Sequence, residues 1–371
     1  QGPVRPSPRR PPLGPNSQGA MTADGSPSDV GGPLTEEDCE KLLDAVDACS
    51  AEQDMEAAGF DPLTVGFANK VCGAVKNGQR LVIKRTRVHA QPISGLKYTD
   101  LVFLRLTPES VGAVDVLAGQ SGAGPRVFHS SVRGLVMERL PGETLGEPNM
   151  HNGDFELLDL VAVALADFHR LPVPEVCQGE PMLWRTIDKM MEVVRKNPEL
   201  VPEGMPGLDT IDAAIGEARA ALERHCPKVV LGHGDFKPSN VIRDGGRVTL
   251  IDFELGGPNY RGFDLMKVFR TALPACEDCL RRFLRTYARQ AGEDGAASEE
   301  ALEGLADETR RFEPLTWLEA ALFFLTLPLF KAAGSQRWRD LAVDRWNKFE
   351  ETKHLLAKRP AENGCRREPG P

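Results

Sequence analysis

Positions 233 to 254 read His233-Gly-Asp235-Phe-Lys-Pro-Ser-Asn240, a short apolar run, then Ile251-Asp252-Phe-Glu254. Phosphoryl transfer needs three things: charge neutralised on the phosphates, an acceptor placed in line, and a base beside it. Asp235 is the candidate base, with a carboxylate that takes the acceptor hydroxyl's proton late in transfer. Asn240 lies far enough along for the loop to turn back and offer its amide oxygen to Mg²⁺. Asp252 supplies the main carboxylate for metal that bridges phosphates. His233 is expected to orient the loop by hydrogen bonding. A polar turn between strands uses similar residue types. The second acid, at the end of the following strand, tips the reading toward transfer of the γ-phosphate of ATP onto a hydroxyl.

Upstream, Leu81-Val-Ile-Lys84 is a strand that ends in a lysine, as a phosphate-pairing lysine should. An acid from the helix that follows should pair with it. Glu109 is the first choice, with Asp100 and Asp115 as competitors. A loop that covers phosphates is expected at Val65-Gly66-Phe-Ala-Asn69, where Gly66 permits close backbone approach and Asn69 can hydrogen bond. Met137-Glu138-Arg139-Leu140, followed by Pro141-Gly142, reads as a hinge between lobes. Its backbone groups, around Glu138 and Leu140, are placed to meet adenine.

These residues need elements to hold them. Thr35-Glu-Glu-Asp38 reads as a capping box opening a helix that runs through Cys39 to Cys49. Leu63 to Val75 alternates, turns at Lys76-Asn77-Gly78-Gln79, and returns as Arg80 to Arg85, a hairpin. A helix near Leu101 to Leu117 and a strand pair, Arg126–His129 with Leu135–Leu140, complete a small lobe. From Phe155 the period becomes helical, with Leu157, Leu158, Val161, Leu165 and Phe168 at steps of three and four. Helices are expected at Trp184–Val194, Thr210–His225, Met266–Ala288, Glu299–Phe312, Leu315–Phe330 and Trp338–Leu356. Short strands are expected at Val229–Leu231, Val241–Arg243 and Val248–Ile251. The expected division is a disordered Pro/Gly/Ser-rich tail over 1–33, an ATP-binding lobe over 34–140, a catalytic and substrate-binding lobe over 141–357, and a flexible tail over 358–371. No internal repeat is visible.

The 371 residues suffice for two lobes. A net charge of −9 argues against a nucleic-acid partner. The apolar stretch Leu315–Phe330 contains Glu319 and Pro328 and is shorter than the ~20 residues of a membrane span, so it reads as a buried helix. The N-terminus lacks a signal peptide's apolar core. Eight scattered cysteines suit reduced thiols in the cytoplasm, and Cys276-x-x-Cys279 reads as two half-buried thiols.

The motifs at 233–240 and 251–254 resemble those of the aminoglycoside-phosphotransferase-like kinases. The continuation Gly256-Gly-Pro-Asn259-Tyr260-Arg-Gly-Phe263-Asp264 resembles the choline/ethanolamine kinases more narrowly. Leu165-Ala-Asp-Phe-His169, Pro181-Met-Leu-Trp184 and the helix Ala342–Lys353 add looser matches, and the resemblance spans roughly residues 60 to 355. It implies an α+β, bilobal protein-kinase-like fold, with a small antiparallel sheet in one lobe and a large, mainly helical second lobe. It also implies ATP and Mg²⁺, a small-molecule amino alcohol as acceptor, and cytoplasmic work that feeds phospholipid synthesis. A homodimer is compatible with it. In this frame Asp264 braces the catalytic loop, and Glu254 adds negative field at the substrate.

The chain departs from the family beyond Asp264. Lys267 and Arg270 stand where a neutral or acidic wall would meet an ammonium group. The family's paired tryptophans, which box that ammonium by cation–π attraction, should fall near Ala321 and Phe324. Only Trp317, Phe323 and Phe324 are available, and Trp317 and Phe324 are taken as the substrate aromatics. The alternatives are a phosphotransferase of this fold for another small hydroxyl compound, of aminoglycoside or sugar type, and a catalytically silent member.

Overall fold

The computed structural model describes residues 33–49, 52–65, 69–86, 110, 112–271, 276–293, 295, 298–329 and 335–357. Two helices lead in, α1 (Glu36–Ala48) and α2 (Glu52–Ala57). The Thr35 hydroxyl accepts from Asp38 N at 3.1 Å, and the Asp38 carboxylate accepts from Thr35 N at 3.1 Å. The expected capping box therefore forms. Strands β1 (Asp61–Val65), β2 (Asn69–Lys76) and β3 (Gln79–Thr86) follow. Leu63–Val75, expected as one strand, is thus divided between two that pair antiparallel. Asn77 and Gly78 have φ of 52° and 71°, the left-handed pair that a tight hairpin between β2 and β3 requires.

Helix α3 (Ala113–Ser121) precedes β4 (Val127–Ser131) and β5 (Gly134–Glu138). The expected helix at 101–117 lies largely outside the described residues. The five strands form one antiparallel sheet in the order β1-β2-β3-β5-β4. On the central strand β3, Leu81 and Ile83 are buried against α1 with Cys39, Leu43 and Val46. Strand alternation then turns Lys84 to the opposite face.

The second lobe is mainly helical. A short strand, β6 (Glu143–Thr144), leads to α4 (Phe155–His169), α5 (Met182–Lys196) and α6 (Leu208–Glu223). Asp154 caps α4 by accepting from Leu157 N at 3.1 Å. The apolar period of α4 buries Leu157, Leu158, Val161 and Leu165, and His169 is carried to the same buried face.

The motif region then builds β7 (Val229–Gly232), β8 (Val241–Asp244), β9 (Arg247–Leu250) and β10 (Gly257–Tyr260). Strands β6, β8 and β9 form one small sheet and β7 with β10 another. Helices α7 (Arg261–Lys267), α8 (Glu277–Ala291), α9 (Glu299–Arg311), α10 (Glu313–Thr326) and α11 (Ser335–Thr352) finish the lobe.

The single helix expected at 266–288 is two, α7 and α8. Cys276 and Cys279, expected as thiols, are joined as a disulfide at the start of α8, with Cα atoms 5.2 Å apart. By length and composition the stretch Glu299–Leu329 could cross a membrane, but 78% of its most apolar window is buried within the protein. The helical lobe holds two apolar clusters, one around α5, α6, α10 and α11, the other around α4, α8 and the motif strands.

Candidate active site

Hairpin β8–β9 sets the central geometry. Val241 pairs with Leu250, and Ile251 N donates to Asn240 O at 3.0 Å just outside the ladder. The loop that ends at Asn240 and the segment that begins at Ile251 are therefore held side by side. Asp252 then adopts φ 68°, a left-handed conformation uncommon outside glycine. Phe253 turns inward, with its ring 5.0 Å from those of His233 and Phe168.

Beneath the loop, Asp264 on α7 receives His233 N at 2.7 Å and Gly234 N at 3.0 Å, one on each carboxylate oxygen. Asp264 is fully buried, so its charge must be matched by donors. His169 Nε2 supplies another at 3.1 Å, and its Nδ1 lies 2.8 Å from the Tyr287 hydroxyl. If the ring donates to the carboxylate, the phenol donates to the ring. Burial pushes the Asp264 carboxyl up, but the His169 bond and charge outweigh it and hold the group below the ordinary range. Burial holds His169 below the usual histidine value. The His233 ring, buried in the aromatic layer, lies with Nε2 2.9 Å from Ile251 O, tying the two motif segments together.

Asp235 is gripped from three sides. Lys237 Nζ donates to Oδ2 at 2.7 Å, Lys267 Nζ lies 3.1 Å from Oδ1, and Asn240 Nδ2 donates to the Asp235 carbonyl at 2.9 Å and to Oδ2 at 3.3 Å. Burial alone would push this carboxyl up, but the charges of Lys267 and Lys237 hold it well below the usual carboxylate range.

Lys84 reaches from the sheet to the opposite side of the site. Its ammonium is bonded to the Asp252 carboxylate and lies 3.1 Å from Glu254 Oε2. Burial opposes the charge of Lys84, yet Asp252, Glu254 and Asp115 hold the ammonium above the ordinary lysine range. Asp115, buried on α3, is the helix acid within electrostatic reach of Lys84. Burial pushes its carboxyl up to about 6, against the pull of Lys84. The first choice, Glu109, lies outside the described residues, as do Gly66 and the side chain of Asn69. At the hinge, Glu138 N donates to Arg126 O at 2.8 Å and Arg139 N to Arg80 O at 3.0 Å. Leu140, beyond them, is half-buried.

The expected acceptor aromatics stand differently. Trp317 is 5% exposed, and Arg270, Arg345 and Lys348 lie over its ring at 5.2, 5.2 and 4.7 Å from the centroid. Phe324 stacks on Trp338, with centroids 6.1 Å apart. Three residues that touch the site were not assigned to it from sequence: Lys237, His169 and Glu319. His169 sat as a polar residue on an apolar stripe, and Glu319 as an acid inside an apolar helix. Both were signals of a buried polar contact.

A sheet whose central lysine meets a carboxylate at the foot of a helical lobe defines a protein-kinase-like phosphotransferase fold. A family model described as "Phosphotransferase enzyme family" (APH) matches residues 66–305, and the chain belongs to that family. Among curated relatives, ethanolamine kinase 2 of Mus musculus is 26% identical over 246 residues, which span 62% of this chain and 62% of that protein. Among solved structures, an ethanolamine kinase of Plasmodium vivax superposes with TM-score 0.62 at 17% identity, over 89% of this chain and 95% of its own. The gentamicin complex of APH(2")-IIa superposes with TM-score 0.54 at 13% identity, over 88% and 99% respectively. The bilobal fold is therefore that of the choline/ethanolamine and aminoglycoside enzymes alike.

Proposed function

We propose that this protein transfers the γ-phosphoryl group of ATP to the hydroxyl of a small alcohol, with an amino alcohol of the choline or ethanolamine type as the reading drawn from its relatives. One observation carries the proposal: Lys84, distant in sequence, meets the 235–252 segment, where Asp235, Asn240 and Asp252 are held side by side.

In this reading the acceptor hydroxyl lies against Asp235. Its oxygen attacks the γ-phosphorus, the bond to the β-phosphate oxygen breaks, and the proton passes to the Asp235 carboxylate. A carboxyl held well below its usual range is a weak base, so the proton moves only as the hydroxyl becomes strongly acidic in the transition state. Lys84 pairs with phosphate oxygens, held in place by Asp252, Glu254 and Asp115. Asn240 commits its Nδ2 to Asp235, which leaves its amide oxygen as an acceptor. That oxygen and the Asp252 carboxylate are hard donors of the kind Mg²⁺ takes. When bound, the metal supplies charge neutralisation on the phosphates. The lobe at 34–140 is assigned to ATP, with the base of the nucleotide at the Glu138–Leu140 hinge, and the lobe at 141–357 to the acceptor.

The test is ADP formation with choline and with ethanolamine, in ATP and Mg²⁺, by the wild type, Asp235→Asn and Asp252→Asn. The expected result is a loss of about 10²–10⁴ in kcat for Asp235→Asn with nucleotide affinity retained. Near-normal turnover in that variant would remove the assigned base. A second reading, another small hydroxyl compound as acceptor, is favoured by the cations that cover Trp317.

A further inference from the structure

An enzyme that binds an ammonium compound needs an open aromatic face or an unanswered carboxylate beside its base. The acceptor side of this site has its aromatics occupied. Trp317 carries three of the chain's own cations, from Arg270, Arg345 and Lys348. Phe324 is stacked on Trp338, over which Arg337 lies at 5.4 Å. A ligand ammonium brought to Trp317 would meet like charges at short range, and these repel.

The nearby carboxylates are also answered. Asp235 has Lys237 and Lys267, Glu319 has Lys267 at 3.4 Å, and Asp344 has Arg345 and Lys348. Among the described residues, Glu147, exposed, also reaches this cluster by charge, and Glu313 is hydrogen-bonded to Trp317.

Arg270 is different. It follows Lys267 by one turn, its backbone N donating to Lys267 O at 3.4 Å. Its guanidinium donates once, to Thr316 O at 3.1 Å. Its Nε is buried and has no hydrogen-bond partner. Among the described residues, no carboxylate lies within ion-pair distance of it. Burial lowers its pKa, Glu319 and Asp235 counter that, and Arg345 lowers it again; the Arg270 and Arg345 guanidinium groups both lie over the Trp317 ring. A planar fork of donors with a buried unpaired N–H is the geometry that captures a carboxylate or phosphate.

We propose that the acceptor is an alcohol bearing an oxyanion, with its hydroxyl against Asp235 and its carboxylate or phosphate on Arg270, beside Arg345. The proposal rests on the reading of Asp235 as the residue that receives the hydroxyl, and it names the class of compound that hydroxyl belongs to. Arg270 and Arg345 then determine specificity, and the cations on Trp317 exclude quaternary ammonium compounds by charge.

The full chain is assayed for ADP formation, in ATP and Mg²⁺, with ethanolamine, choline, a neutral sugar, serine, glycerate and glycerol 3-phosphate. Acceptor-free ATP hydrolysis is followed in parallel and compared with Asp252→Asn. The expected result is a kcat/KM for at least one oxyanion-bearing alcohol about tenfold or more above those of ethanolamine and choline. Carboxylate and phosphate sources are separated by which of those three probes leads. Arg270→Gln should raise the KM for that compound about tenfold while leaving kcat nearly unchanged, the mark of lost binding. Arg345→Gln, at a more exposed position, should do the same to a lesser degree and serves if Arg270→Gln fails to fold. Preference for choline, ethanolamine or the sugar overturns the inference, and so does an unchanged KM in the folded arginine variants. Those results leave the phosphotransferase reading standing, because ATP turnover that depends on Asp252 reports it separately. Absence of ATP turnover in every condition removes both.

Discussion

Lys84 shows how much depends on single side chains here. It is almost wholly enclosed, and three carboxylates converge on it. Removing it leaves Asp252, Glu254 and Asp115 facing one another in a partly desolvated space. Breaking a buried pair from one side costs about 3–5 kcal/mol, although Asp252 keeps enough solvent contact to soften that. Lys84→Met is therefore expected to lose activity and also to melt at lower temperature, by calorimetry. A variant that lost activity with its melting temperature unchanged would show that the carboxylates do not depend on the lysine. At this scale the sequence was readable because each side chain sits in a motif with fixed spacing. Asp115 was only a competitor to Glu109, because spacing cannot say which acid of a helix turns inward. The burial of Asp115 is visible only after α3 has packed, and Glu109 lies outside the described residues.

Among the elements, α7 is the most constrained. All seven of its residues are buried, and it carries Asp264 and Lys267 one turn apart on the face that meets Gly234. Its approach to α10 depends on Gly262, where a Cβ would stand 2.3 Å from the Phe312 ring. Gly262→Ala should destabilise the protein by about 1–3 kcal/mol through overpacking, read as a lower denaturant midpoint. Phe312→Leu in the same chain should recover part of the loss, and failure to recover any would place the strain elsewhere.

The long helices and the β2–β3 hairpin were legible because period and turn chemistry act locally. Strand β10 was not, because Gly257-Pro-Asn-Tyr has the composition of a loop. It becomes a strand through pairing with β7, where Gly257 faces Gly232. The close approach there explains the small residues, since a Cβ at Gly232 would stand 2.6 Å from that of Asn259. The division of 266–288 into α7 and α8 was missed because both halves have helical period, and period alone does not register a break.

For the whole molecule, the chain Tyr287–His169–Asp264–loop links the centre of the helical lobe to the catalytic segment. Burial holds His169 below its ordinary value of 6.5. Between its folded and unfolded values the unfolded chain therefore binds more protons. The stability contributed by neutral His169 is complete above about pH 6.5 and is lost as pH falls below it. Asp115 acts in the opposite sense, because its raised carboxyl takes up a proton in the folded state below about 6. The informative quantity is thus the difference between wild type and His169→Gln. From about pH 7.5 to about pH 5.5 the wild type should lose more melting temperature than the variant. Parallel curves would mean that His169 takes up its proton equally in the folded and unfolded chains, with no shift on folding.

Hairpin β8–β9 works as a ruler between the loop that carries Asp235 and Asn240 and the segment that carries Asp252. At its tip, Gly245-Gly246, a Cβ added to either residue would meet nothing within 4 Å, while its rungs fix the spacing of Asn240 and Asp252. A peptide tag or reporter spliced between Gly245 and Gly246 should leave turnover intact, whereas one residue added within either rung would shift Asn240 relative to Asp252 and is expected to abolish turnover. On this expectation the protein carries, a few residues from the site, a built-in attachment point that leaves Asn240 and Asp252 in register.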